Sequence, residues 1–96
     1  MKAILQYWEE SERGWGSRAD GCSLHRDLAS HQKYVDDVYR DRTYHQYVPD
    51  QYDRTIGDPT AVEISENLYQ SMGVLTGLRL DEVETNNLLK LNEIRF

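Results

Sequence analysis

The sequence predicts an α+β domain: a small, mostly antiparallel sheet of three or four strands, with two or three helices packed on one face. Three observations carry this expectation. Lys2 to Trp8 alternates like a strand, Asp27 to Arg42 repeats at helical spacing, and the remaining periodic segments continue the order as β, α, α, β.

The first strand places Ala3, Leu5 and Tyr7 on one face and Ile4, Gln6 and Trp8 on the other. Both faces are largely apolar, so the strand belongs at the centre of the sheet, covered on both sides. Asp20-Gly21 reads as a hairpin turn, because glycine tolerates the positive φ of tight turns. A short second strand, Cys22 to His25, would follow it. Asp27 is positioned to cap a helix whose stripe is Leu28, His31, Val35, Val38, Tyr39 and Arg42.

Tyr44 to Thr60 lacks either period and contains Pro49, Pro59 and Gly57-Asp58, which predicts a long loop pinned by Tyr44, Tyr47 and Tyr52. Ala61 to Ser65 alternates as a third strand with Val62 and Ile64 inward. Ser65 then caps a short helix that buries Leu68, Tyr69 and Met72 and stops at Gly73 in the left-handed region. Asp81-x-x-Glu84 spells a capping box for a helix to about Lys90 using Val83, Leu88 and Leu91. Asn86-Asn87 offers a competing hairpin turn. The capping box favours the helix, with a final strand from Glu93 to Phe96.

Composition narrows the functional classes. The chain has 96 residues, enough for one domain. A core of this size is modest, and dimerisation or a higher homo-oligomer is the natural way to enlarge it. Eleven Lys and Arg against seventeen Asp and Glu give a net charge of −6, which disfavours direct nucleic-acid binding and anionic membranes. The positive residues gather in 13–45 and the acidic ones in 46–96. One cysteine, no apolar run of membrane-spanning length and no signal-like N-terminus suit a cytoplasmic protein.

The chemistry-bearing residues concentrate between Glu9 and Arg26. Cys22-x-x-His25 is half a zinc motif, and His31 and His45 do not complete it, so no metal or other cofactor is expected. Ser23 and His25 share a strand face, yet a nucleophile and a base need an oxyanion site that a strand does not specify. Gly14-Trp15-Gly16-Ser17-Arg18 offers bare amides, a hydroxyl and guanidinium forks. Arg13, Arg18 and Arg26 could grip phosphate, Trp15 could stack on a base, and Ser17, Ser23 and His25 could donate hydrogen bonds. The alternative is a loop in which Trp15 plugs the core and the arginines pair with Glu9, Glu10, Glu12 and Asp20. Seven tyrosines also suit a protein-binding surface.

The run Glu12-Arg13-Gly14-Trp15-Gly16-Ser17-Arg18-x-Asp20-Gly21-x-Ser23-Leu24-His25, with Val48-Pro49-Asp50-x-Tyr52, resembles a pattern in short phage and bacterial accessory proteins. The resemblance covers about half the chain. It implies action by binding, including inhibition or sequestration directed against host defence. Three functional expectations result. The first is a non-enzymatic protein that sequesters an anionic, nucleotide-type ligand. The second is an acidic inhibitor that occupies a basic partner surface through Glu63, Glu66, Asp81 and Glu82. The third is a small hydrolase using His25 with Asp20 or Ser23.

Overall fold

The computed structural model describes residues 1–12, 16–43 and 51–96. Its strands are β1 (Lys2–Glu12), β2 (Gly16–His25), β3 (Gln51–Ile64), β4 (Leu78–Leu80) and β5 (Ile94–Arg95). Its helices are α1 (Leu28–Thr43), α2 (Glu66–Ser71) and α3 (Glu82–Lys90). The α+β class and the antiparallel sheet are as expected, with five strands in the order β4-β2-β1-β3-β5. No helix among the described residues is long and apolar enough to cross a membrane.

β1 is the central strand, as its two apolar faces predict. It pairs with β2 on one side and β3 on the other. Cross-strand partners share a face, so Leu5, Leu24, Tyr7 and Cys22 lie together, and Gln6 with Ser23 lie opposite them. The first face carries the hydrophobic core: Ala3, Leu5, Cys22, Leu24, Val62, Ile64, Leu80 and Ile94, closed by Leu68 and Met72. Partly buried Leu88 and Leu89 of α3 pack against it. The second face is covered by α1, whose His31 bonds Gln6 and whose Tyr34 meets Trp8. The helices therefore divide between the two faces, where one face was expected. A single layer would have left either Leu5 or Trp8 in water.

The two long hairpin partners are the largest departures from expectation. Asp20-Gly21 is not a turn. β2 runs through it, and the pair register slips between Tyr7 and Glu9, so that Asp20 and Gly21 together oppose Trp8. This is a bulge with its glycine in the left-handed region, at φ 72°. Likewise, 51–60 is strand, and Ala61–Ile64 is only the end of β3. β1 offers two full edges of backbone donors and acceptors, and β3 satisfies the second. The Gly57-Asp58-Pro59 signal marks a second bulge opposite Gln6. There Pro59 needs no ladder donor, and Gln6 Nε2 reaches the carbonyls of Ile56 and Gly57 at 3.1 and 3.2 Å. Tyr44, Tyr47, Pro49 and the rest of 44–50 lie outside the described residues.

The helices follow their caps. Asp27 Oδ1 accepts from Ser30 N at 2.7 Å, Ser65 Oγ from Leu68 N at 3.2 Å, and Asp81 with Glu84 form the reciprocal capping box. The box decides the last third of the chain against an Asn86-Asn87 hairpin. α3 is capped by Leu91, and the next residue, Asn92, takes φ 56° while the amides of Asn92 and Glu93 bond back to Leu89 and Leu88. Side-chain facing was less well predicted. Leu28, Val83 and Leu91 are exposed, whereas Thr85 is buried and hydrogen-bonds Cys22. Gly73 is not a left-handed stop; α2 ends on Met72 with φ −86°, and Gly73 pairs with Gly77 in a small bridge.

Gly21 fixes where α3 begins. A Cβ there would stand 2.0 Å from the Leu80 carbonyl oxygen and 2.6 Å from the Asp81 backbone. Gly16 has a similar positive φ but open space around it. Gly21→Ala is therefore expected to cost about 2–3 kcal/mol or more, combining a left-handed alanine with a backbone clash. Gly16→Ala should lose only about 1 kcal/mol. Urea denaturation of both variants measures the difference.

Candidate functional site

Two settings bear on function: the polar layer under α1 and a groove on the opposite face. In the polar layer, Trp8 Nε1 donates to Ser23 Oγ at 2.7 Å, and Ser23 Oγ lies 2.7 Å from His25 Nε2. An indole N–H can only donate, so Ser23 Oγ accepts from Trp8 and still has a lone pair and a proton with which to meet His25 Nε2. The other ring nitrogen of His25 is Nδ1. That nitrogen has no hydrogen-bond partner and abuts Gly77, where a Cβ would come within 2.7 Å. His25 also meets the ring of His31 edge-on at 5.2 Å, and His31 Nε2 is 2.9 Å from Gln6 Oε1.

Burial holds the His25 ring neutral, with its pKa lowered to about 4, and the neighbouring His31 pushes in the same direction. His31 is lowered by burial as well. Ser23 and His25 form the nucleophile–base pair anticipated from their spacing, but both are fully buried. The hydroxyl is already engaged twice, and no carboxylate orients the free imidazole nitrogen. The pair is built to satisfy the interior, and a substrate has no route to it in this conformation.

Arg79, which the sequence did not single out, organises the rim of this layer. Its guanidinium stacks over Trp8 at 4.7 Å and reaches Asp20 at 3.1 Å and Asp53 at 3.5 Å. Burial raises the Asp53 pKa; Arg79 opposes that rise and Asp20 reinforces it. Burial also raises Tyr34, which lies in hydrogen-bond contact with Arg79.

The residues expected to grip an anionic ligand are distributed along the molecule. Ser17 and Arg18 lie in the outer half of β2, while Ser23 and His25 lie toward its other end, roughly 20–26 Å from Ser17 at strand rise, and Arg26 just past it. Arg18 is paired with Glu10 at 2.6 Å. Arg26 stacks over Tyr69 at 4.4 Å and donates to the Met72 carbonyl at 3.2 Å. Arg13 and Trp15 lie outside the described residues. Cys22 sits on the other face from His25, and burial raises its thiol, so the two do not share a ligand. No group of three or more metal-ligating side chains occurs among the described residues.

On the core face, the sheet continues beyond α3 and forms the floor of a groove of about 210 Å³. Tyr7, Ala19 and Ile56 supply the floor, and Glu82, Thr85 and Asn86 the wall. Tyr7 is 37% and Ile56 42% exposed, although they are cross-strand partners in the middle of a sheet. The lining contains a carboxylate and no cation. Burial raises the Tyr7 phenol above its ordinary value, so its ring is neutral at physiological pH. The alternation of Ala3, Leu5 and Tyr7 marked this face in the sequence, but nothing local marked where α3 would stop covering it. The chain matches no family model, no curated protein and no solved structure.

The polar layer makes stability pH-dependent with a defined sign. Histidine binds its proton near pH 6.5 when unfolded, whereas His25 does so near pH 4 when folded. The unfolded state holds more protons between those values. His25 thus contributes fully above pH 6.5, and about 3 kcal/mol is lost as the pH falls toward 4. Urea midpoints at pH 7 and 4.5, with the His25 imidazole followed by NMR, test this. Ser23→Ala should cost about 1–3 kcal/mol for each buried group it strands, Trp8 Nε1 and His25 Nε2. Ser17→Ala, at an exposed position of the same strand, should change stability by less than about 0.5 kcal/mol.

Proposed function

We propose that the protein is a non-catalytic binding module that engages a cationic segment of a partner protein, with the groove between β1, β3 and α3 as its anchor. The observation that carries this reading is the uncovered Tyr7–Ala19–Ile56 floor beneath an acidic helix start. An apolar floor supplies contact area, and Glu82 in the first turn of α3, flanked in sequence by Asp81 and Glu84, supplies negative charge at its edge. Asp81 and Glu84 are held by their capping box, while Glu82 faces the groove. The second half of the chain, acidic by composition, then has a defined place to act.

Sequestration of an anionic ligand through Arg13, Trp15, Ser17, Arg18, Ser23, His25 and Arg26 draws less support. Arg18 and Arg26 already have oxygen partners, and the fully buried Ser23 and His25 face the interior. A phosphate at Arg18 would sit beside the Glu10 carboxylate that this arginine already neutralises. A hydrolase draws less again, because the dyad is sealed.

One pair of titrations separates these readings. A short peptide alternating basic and apolar residues, added to isotopically labelled protein, should perturb the amides of Tyr7, Ala19, Ile56 and 82–86. Glu82→Lys should weaken it tenfold or more. Perturbations spread evenly over Glu63, Glu66 and Glu93 would mean general charge attraction and would sink the groove. A nucleotide panel should leave the melting temperature unchanged. A ligand at 100 times its Kd would stabilise by about 2.7 kcal/mol and shift the midpoint by many degrees, which would favour the anionic-ligand reading instead.

A further inference from the structure

We infer that the groove selects an arginine side chain of the partner over a lysine; the inference rests on the binding reading above and specifies its occupant. The groove asks three things of an occupant. Its body must lie against the half-exposed Tyr7 ring and Ile56. Its end must donate hydrogen bonds, because Glu82 and Asn86, four residues apart on one face of α3, line the groove with a carboxylate and a carboxamide whose oxygen can accept. It must carry positive charge, since the lining has a carboxylate and no cation to balance it.

Arginine meets all three with one rigid group. Its guanidinium is planar, stacks on aromatic faces, and is weakly hydrated, so leaving water for an apolar floor costs it little. Its five donors lie in a plane and can serve two acceptors at once. A lysine ammonium is compact and strongly hydrated; it can reach the same acceptors, but it has no planar face to lay on the Tyr7 ring and gives up more water for less contact.

The fold itself solves the same problem twice. Arg79 lies over Trp8 at 4.7 Å with Asp20 at its edge, and Arg26 lies over Tyr69 at 4.4 Å with the Met72 carbonyl at its edge. In each seat an aromatic ring forms the base and an oxygen acceptor takes the rim. Tyr7 with Glu82 and Asn86 repeats that pairing of ring and acceptors in a place open to solvent.

The test uses two capped hexapeptides of equal charge, identical except that one carries arginine and the other lysine, titrated against the intact protein by calorimetry and NMR. The arginine peptide is expected to bind at least tenfold more tightly, with shifts at Tyr7 and 82–86. Tyr7→Phe should keep the preference because the ring remains, whereas Tyr7→Ala and Glu82→Gln should each reduce it to under threefold. Circular dichroism confirms that each variant folds. Equal affinity at the groove would overturn arginine selection and leave the binding reading standing. If neither peptide reaches the groove, both ideas fail.

Discussion

The close approach of Leu80 and Asp81 to Gly21 is the constraint on which the arrangement of both faces depends. With no side chain at Gly21, the chain leaving β4 crosses directly against β2, and Asp81 starts α3 over the core face. The same glycine, taking φ 72°, forms the bulge opposite Trp8. The bulge re-aims the strand and leaves Asp20 within reach of Arg79. One residue without a Cβ thus sets the start of the helix on one face and the ion-pair cluster on the other. The groove inherits its shape from this contact, because α3 begins beside Tyr7 and Ala19 and extends away from them.

The two faces are closed by different physics. The core face is apolar and tolerates imperfect boundaries, which is how a stretch of floor can remain uncovered. Beneath α1 the layer is polar, and every donor or acceptor removed from water needs a partner. Trp8, Ser23, His25, His31 and Gln6 meet that demand in an almost continuous chain. Its members are held neutral by burial, so the layer carries no buried charge to compensate. Within this chain of groups His25 Nδ1 is left without a partner, pressed against Gly77. This is a costly way to dock a helix, and it explains why residue types associated with catalysis occur here without access to solvent.

Much of the fold was legible because its signals are local. Caps at Asp27, Ser65 and Asp81 declare themselves within four residues, and all three hold. The two-sided pattern of β1 identified the centre of the sheet. What the sequence obscured were the places where tertiary pairing overrides a turn signal. Asp20-Gly21 and Gly57-Asp58-Pro59 look like chain reversals, yet both are bulges inside long strands, because β1 presents enough backbone to pair straight past them. The candidate site was obscured for the same reason. Tyr7, Ala19, Ile56 and Glu82 come from four separate elements and share no motif. Arg79 sits in a three-residue strand that has no periodicity to read.

Charge partnership bears most directly on what the surface can bind. The chain has an acidic excess, and its described arginines are largely engaged with that excess: Arg18 with Glu10, Arg54 with Glu9, Arg40 with Asp37, and Arg79 with Asp20 and Asp53. An incoming anion at any of these must compete with a carboxylate already held a few ångströms away, whose local concentration no dilute ligand matches. An incoming cation faces the reverse balance at Glu82, an exposed carboxylate beside an apolar floor. The net charge of −6 brings cationic partners toward the molecule from any direction. Long-range attraction of that kind does not discriminate among acidic patches. The proposed groove would, because there Glu82 adjoins the half-exposed Tyr7 ring, so that short-range stacking can convert a diffuse attraction into a located one.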